Sequence, residues 1–351
     1  VKPVLFVTGH VSPERAGAFA LLHERVGIEL ALFGGPHQHG APAQAPPEGV
    51  PHRLVREREI AALVRSGAYR VVIAGTGGRV ALPSAWRAAQ RCGVPFVFWA
   101  ALWRTPRTAA HLAALPLMRS IYRGAAAVVT YGEHVSAYVR RHGATRVTIA
   151  PQAVDNEFWS APAAPRADAR FAALFVGRAA PEKGLAVALE GWRRADLDGT
   201  LTVAGDIPVP RAGGVLATGI LAPVQLRNFY AASDVVVVPS VSTRRFIEPW
   251  GLVVNEAMNQ ATAIIASDAV GAAAGGLIRD GRNGLIVPQR DPQALAQALR
   301  ALAGDPQRCA ELGAAGREDV RNYSFDAWAE AFASVVKQVT PSAARAGSVE
   351  R

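Results

Sequence analysis

The chain has 351 residues, half of them apolar, with 33 Gly, 24 Pro and a formal charge of +10. This length suits two domains, each able to bury its own core, and no apolar run approaches the roughly 20 residues of a membrane span. Cys92 and Cys309 stand too far apart for a disulfide framework or a metal-ligand cluster.

The charge is unevenly spread. Residues 1–160 carry 18 Lys and Arg against 9 Asp and Glu, whereas residues 161–351 carry 20 against 19. A basic first half suits anionic lipid or acidic glycan as well as a solvated, Arg-rich surface; nucleic acid is not the expected partner. No basic-then-apolar segment precedes the first predicted strand, so a cytoplasmic protein is expected, with the inner membrane face as a second location.

In chain order, short Val-, Ile- and Phe-rich runs alternate with longer stretches of helical period, the pattern of βα repeats and parallel sheets. Strands are predicted at Val4–Thr8, Ile28–Phe33, Val71–Ala74, Phe96–Trp99, Ala127–Thr130 and Val147–Ala150. The Pro-, Gly- and His-rich piece Gly34–Pro51 reads as a surface loop. Gly75-Thr-Gly-Gly-Arg79 resembles a dinucleotide turn but has Val80 at its sixth position, and reads as a strand-end loop. Trp99 and Trp103 end a strand at the same rim, where indole faces suit sugars; ordinary core packing explains them equally well. The segment Trp103–Arg123 sets Arg104, Arg107, Arg119 and Arg123 among apolar residues, as an interfacial helix or a packed amphipathic helix would. Ser160–Asp168 reads as a linker.

Beyond it, strands are predicted at Ala173–Val176, Leu201–Ala204, Val215–Thr218, Val235–Val238, Ala263–Ala266 and Leu285–Val287. After the first comes Gly177-Arg178-Ala-Ala-Pro-Glu-Lys183-Gly184. Arg offers a two-pronged fork for phosphate oxygens and Lys a mobile point charge; Lys183 is one of only three lysines in the chain. After Val235–Val238 comes Glu248-Pro-Trp-Gly-Leu-Val-Val-Asn-Glu256, which sets two carboxylates about two helical turns apart around a helix start. Either Glu alone could be a dipole-stabilised helix carboxylate; that accounts less well for both. Residues after Pro341 read as a frayed tail.

The Glu248–Glu256 stretch resembles the Glu-x7-Glu motif of retaining GT-B glycosyltransferases, in particular the large family 4. Phe175–Gly184 looks like that family's donor-phosphate segment, and Val203-Ala-Gly-Asp206, Asn283–Pro288 and Tyr323–Trp328 match as well. The Thr8–Arg15 segment looks like the opening of exopolysaccharide-type members. The resemblance implies an α/β protein of two doubly wound, Rossmann-like domains facing a cleft: residues 1–160 on the acceptor side and 161–340 on the donor side, with the last helix crossing back. It implies that Arg178 and Lys183 hold a diphosphate, Glu256 a ribose diol and Glu248 the transferred sugar. Backbone at Gly251 and Leu252 would approach the sugar and phosphates, and Ile220 and Leu221 the base. Acceptor-side candidates are His10, Arg15, Trp99, Trp103 and His111. Fixed cations would serve the leaving group, so neither metal nor cofactor is expected.

The expected activity is transfer of a sugar from a nucleotide-diphosphate donor to a polysaccharide, lipid-linked or other cell-envelope acceptor. A sugar-nucleotide epimerase and a non-catalytic glycan- or membrane-binding protein of the same fold are the alternatives. One departure from the family is local. Relatives usually place Gly and Pro where this chain has Ala261 and Ala263, which puts the geometry behind Glu256 in question.

Overall fold

The computed structural model describes residues 1–35, 37–38, 41–42, 47–163, 170–209 and 213–340. The chain divides into two compact units. One comprises Val1–Thr105, Ala109–Pro151 and the segment from Phe325; the other comprises Pro106–Thr108 and Gln152–Ser324. The boundary therefore falls at Pro151/Gln152 rather than at 160/161, and the second half of the expected linker lies outside the described residues.

Strands β1 (Val4–Thr8), β2 (Ile28–Leu32), β3 (His37–Gln38), β4 (Ala41–Pro42), β5 (His52–Leu54), β6 (Val71–Gly75), β7 (Phe96–Ala100), β8 (Ala127–Thr130) and β9 (Val147–Ile149) belong to the first unit. Seven of them form a parallel sheet in the order β5-β2-β1-β6-β7-β8-β9. Three strands were not anticipated. The segment Gly34–Pro51, expected as loop, contains the antiparallel pair β3–β4. The edge strand β5 has all three side chains exposed, so it shows no apolar alternation to read.

Helix Phe325–Val339 completes this unit by packing on helix Ala16–Val26. Trp328 and Phe332 join Phe6, Phe19 and Trp99 in one aromatic cluster, with ring centroids 4.5–6.5 Å apart. A Cβ at Gly17 would lie 2.8 Å from the Phe325 ring, so a larger residue there would displace that ring.

The second unit holds β10 (Phe171–Val176), β11 (Gly199–Ala204), β12 (Val215–Gly219), β13 (Val235–Val238), β14 (Ala263–Ser267) and β15 (Leu285–Val287), a parallel sheet ordered β12-β11-β10-β13-β14-β15. The Val235–Val238 run and all of β14 are buried, as expected of central strands covered on both faces. Helices Pro292–Ala303 and Pro306–Val320 each start with an Asp-Pro pair. The Asp291 and Asp305 carboxylates accept N–H groups of the first turn, and Pro sits where no donor is needed. The chain order reverses between β10 and β13. In a doubly wound sheet that reversal opens a crevice at the strands' carboxyl ends, where such folds take ligands.

Candidate functional site

Two loops leave the sheet at this reversal. The first runs from Gly177 through a short 3-10 turn, Pro181–Lys183, into helix Leu185–Ala195; the second runs from Pro239 to Glu248. They interlock at Gly184. Its φ of +72° is left-handed, and a Cβ there would lie 1.9 Å from the Pro239 carbonyl oxygen. Only glycine allows this approach. Val241 N–H donates to the Glu182 carbonyl at 2.8 Å, tying the loops a second time.

The interlock brings Lys183 onto Glu248: Nζ donates to Oε2 at 2.6 Å, with side chains 22% and 10% exposed. Arg178 meets Glu182 at 3.2 Å and is half exposed, its guanidinium lying on the same loop as Lys183. The backbone of Glu248 also bridges to Val270, and a Cβ at Gly271 would lie 1.9 Å from the Pro249 carbonyl oxygen, which binds this loop to the one after β14. Gly251 adopts φ +94° ahead of helix Val253–Asn259.

Glu256 lies on that helix and is almost fully buried; its Oε2 accepts the Tyr230 hydroxyl at 2.6 Å. Burial and then the Glu256 charge push the Tyr230 hydroxyl pKa well above its ordinary value, so it stays a donor. Tyr230 carries no sequence signal, being 26 positions away on another helix. A second set of contacts equally unreadable from sequence fixes the same helix. Trp250 Nε1 donates to Asn255 Oδ1, Asn255 Nδ2 to the Gln152 carbonyl, and Asn259 Nδ2 to Asn156 Oδ1, at 2.8–2.9 Å.

The departure from the family pattern has a visible consequence. Ala261, where the resembled motif has Gly, adopts φ +56°. Its carbonyl oxygen lies 1.9 Å from where a Gly313 Cβ would stand. At β12, Gly219 has φ +72°, its carbonyl accepts Gly205 N–H at 2.8 Å, and Ile220 beyond it is 79% exposed. The sequence's one Asp-x-Asp, Asp196-Leu197-Asp198, lies just before β11, at the opposite end of the strand from these loops.

Trp99 is 6% exposed and belongs to the aromatic core, so it offers no face to a sugar; its strand is central and the last helix covers it. The Arg15 guanidinium lies over the Trp99 and Tyr131 rings, 5.3 and 5.7 Å from their centroids. His10 Nε2 donates to the Gly35 carbonyl at 3.1 Å. Trp103 meets His134 edge-on at 5.2 Å, and His111 is exposed on helix Ala109–Gly124. The dinucleotide-like turn after β6 already holds an anion. Glu57 Oε2 accepts the N–H groups of Val80 and Ala81 at 2.6 and 2.8 Å.

Comparison with known proteins bears on this second unit most directly. Residues 170–305 match the family model described as Glycosyl transferases group 1. The chain is 32% identical over 190 residues to the alpha-maltose-1-phosphate synthase of Mycolicibacterium smegmatis, covering 47% of each protein. It is 31% identical over 249 residues to a D-inositol 3-phosphate glycosyltransferase of Xylanimonas cellulosilytica, covering 61% of this chain and 57% of that protein. It thus spans about half the length of these curated relatives. Among solved structures, Anabaena Alr3699/HepE in complex with UDP and glucose superposes with a TM-score of 0.73 at 16% identity, covering 96% of this chain and 100% of that one.

Proposed function

We propose that this chain, whose residues 170–305 match the group 1 glycosyl transferase model and whose fold is GT-B, moves a sugar from a nucleotide-diphosphate donor to a cell-envelope acceptor with retention of configuration. The observation that carries this reading is the Lys183–Glu248 pair at the β10/β13 reversal, with Arg178 on the same loop. The donor's diphosphate takes Arg178 and Lys183, which supply the positive charge that the departing phosphate needs; no metal is required. As phosphate draws Lys183 toward it, Glu248 turns to the transferred sugar's hydroxyls and to the positive charge growing at its anomeric carbon. Glu256, held by Tyr230, receives the ribose diol. Backbone at Gly251 and Leu252 approaches the sugar and phosphates, and the Ile220–Leu221 backbone meets the base.

No second carboxylate stands in this set as a nucleophile, so attack occurs on the face that the leaving group vacates. The acceptor oxygen bonds to the anomeric carbon as the carbon–phosphate oxygen bond breaks, and the acceptor's proton passes to the leaving phosphate. Relatives named for UDP-bound structures and for a phosphorylated acceptor support a nucleotide-sugar donor and a polar acceptor. The basic first half and helix Ala109–Gly124, which leaves Leu112 56% exposed, support an acceptor delivered at the inner membrane face. The described residues include no helix long and apolar enough to cross a membrane.

The test is release of nucleoside diphosphate from a panel of UDP-, GDP-, ADP- and dTDP-sugars with chelator present. Proton NMR would identify the anomer of the sugar set free by slow hydrolysis. Release with the donor's own anomeric configuration, abolished in Lys183→Ala, is expected. Inverted product, or equal rates in wild type and variant, would contradict the reading.

A further inference from the structure

The loop that ends in Glu248 carries a second group of cations that the donor does not use. Arg244 and Arg245 are exposed on it. Arg107 belongs to the short segment Pro106–Thr108 that joins this unit, and its N–H donates to the Arg244 carbonyl at 2.7 Å. Arg290, after β15, donates through its guanidinium to the Ser242 carbonyl. The neighbouring Gln289 side chain accepts both the N–H and the hydroxyl of Ser242, at 2.9 and 2.6 Å. Arg290 holds this position with φ +64°, a left-handed conformation that costs a non-glycine residue energy, so the surroundings impose it.

The carboxylates around the group are engaged elsewhere. Glu248 pairs with Lys183 and Glu182 with Arg178. Asp268 accepts Gln289 N–H, and Asp291 caps its own helix. In the rest of the unit, Arg178, Arg193, Arg194, Arg279, Arg282 and Arg308 each meet a carboxylate, while Arg227, Arg300 and Arg317 give their guanidinium groups singly to backbone carbonyls. Among the described residues, none of Arg107, Arg244, Arg245 and Arg290 meets a carboxylate. Arg244 and Arg245 are neighbours on this loop, and Arg107 and Arg290 are hydrogen-bonded to its backbone; like charges so placed repel one another, and a bound anion relieves that repulsion. Guanidinium forks match the oxygens of a phosphate two at a time.

Building on the transferase reading, we propose that Arg107, Arg244, Arg245 and Arg290 form an acceptor subsite that recognises a phosphate monoester or diphosphate beside the sugar-transfer position. The acceptor is thus itself a phosphorylated molecule, either a free polyol or sugar phosphate or a lipid-linked phosphate. Its second charge lies apart from the donor's diphosphate, which Arg178 and Lys183 hold.

Calorimetric titration of the full chain, first saturated with whichever nucleoside diphosphate it binds, tests this. The probes are inositol 3-phosphate, glucose 1-phosphate and the short-chain lipid analogue citronellyl diphosphate, with inositol, glucose and citronellol as their uncharged counterparts. At least one phosphorylated probe should bind wild type, more weakly at higher salt, and its uncharged counterpart should not. The pair R244A/R245A should weaken that probe about tenfold or more, and R244K/R245K should restore part of the loss. Nucleotide affinity should be unchanged in both, since these side chains stand outside the donor set. Binding of the soluble phosphates alone or of the lipid analogue alone identifies the source. Absence of binding by every phosphorylated probe, equal binding by wild type and R244A/R245A, or a parallel fall in nucleotide affinity would each overturn the subsite. Absence of nucleotide binding by wild type would instead count against the transferase reading itself.

Discussion

Lys183 and Glu248 are 65 positions apart, yet both were legible as donor-site candidates because each follows a buried strand in a recognisable pattern. Their pairing was not legible, since it depends on the carbonyl-to-glycine contact that sets one loop against the other. The pair has a testable energetic side. Lys183→Ala should cost about 1.5–3 kcal/mol in urea unfolding, the usual worth of a hydrogen bond to a charged group, besides reducing donor turnover by about 100-fold or more. Glu248→Gln keeps a hydrogen-bonding group in place, so it should lose turnover with a smaller loss of stability. Tyr230 shows what sequence could not reveal: its hydroxyl is useful only because folding buries it against Glu256. Tyr230→Phe should destabilise the chain by about 1–3 kcal/mol, the cost of leaving a buried acceptor without its donor. On the proposed role of Glu256 it should also raise KM for the donor more than it lowers kcat, because a ribose contact of that kind would be made in ground and transition states alike.

At the scale of elements, the strands read well because central parallel strands are apolar on both faces; Val235–Val238 and Ala127–Thr130 were delimited to the residue. What failed were elements without a buried face, such as β5, and side chains whose burial comes from another segment, such as Trp99 beneath the last helix. The strand-end loops make the sharper predictions. Gly184→Ala should be severe, because its Cβ would meet backbone 1.9 Å away, whereas Gly219→Ala has the same φ of +72° and open space around it. The second should cost only the left-handed strain, about 1–2 kcal/mol; the first should also abolish nucleotide binding by displacing Lys183. Similar melting temperatures for the two variants would contradict the interlock. Ala261 offers the reverse change. Glycine at φ +56° removes strain of about 1–2 kcal/mol and costs about 0.5–1 in unfolded-state freedom. Ala261→Gly should therefore stabilise the chain slightly in chemical unfolding.

For the molecule as a whole, composition and strand periodicity made two parallel-sheet units legible. The path of the last helix came from resemblance, and the assignment of Pro106–Thr108 to the second unit had no sequence signal. Buried tyrosines give a global pH response. Burial, with help from Glu29, pushes Tyr69 up to about 12, and burial likewise raises Tyr122, Tyr230 and Tyr323. A tyrosine whose folded pKa is raised contributes stability in full below its unfolded value near 10, and loses it as pH climbs toward the folded value. Unfolding free energy should hold level in this respect up to about pH 10 and fall above it. Tyrosinate absorbance of these four should appear together with unfolding; their ionisation in a still-folded chain would contradict their burial.

The central claim is that the β10/β13 reversal holds a nucleoside diphosphate through Lys183 and Arg178. Melting temperatures with UDP, GDP, ADP and dTDP, on wild type and Lys183→Ala, test it most directly, because a ligand that binds only the folded state raises stability by mass action. One diphosphate should raise the melting temperature of wild type and leave the variant unmoved. Equal shifts in both proteins, or no shift in wild type with any of the four, would contradict it.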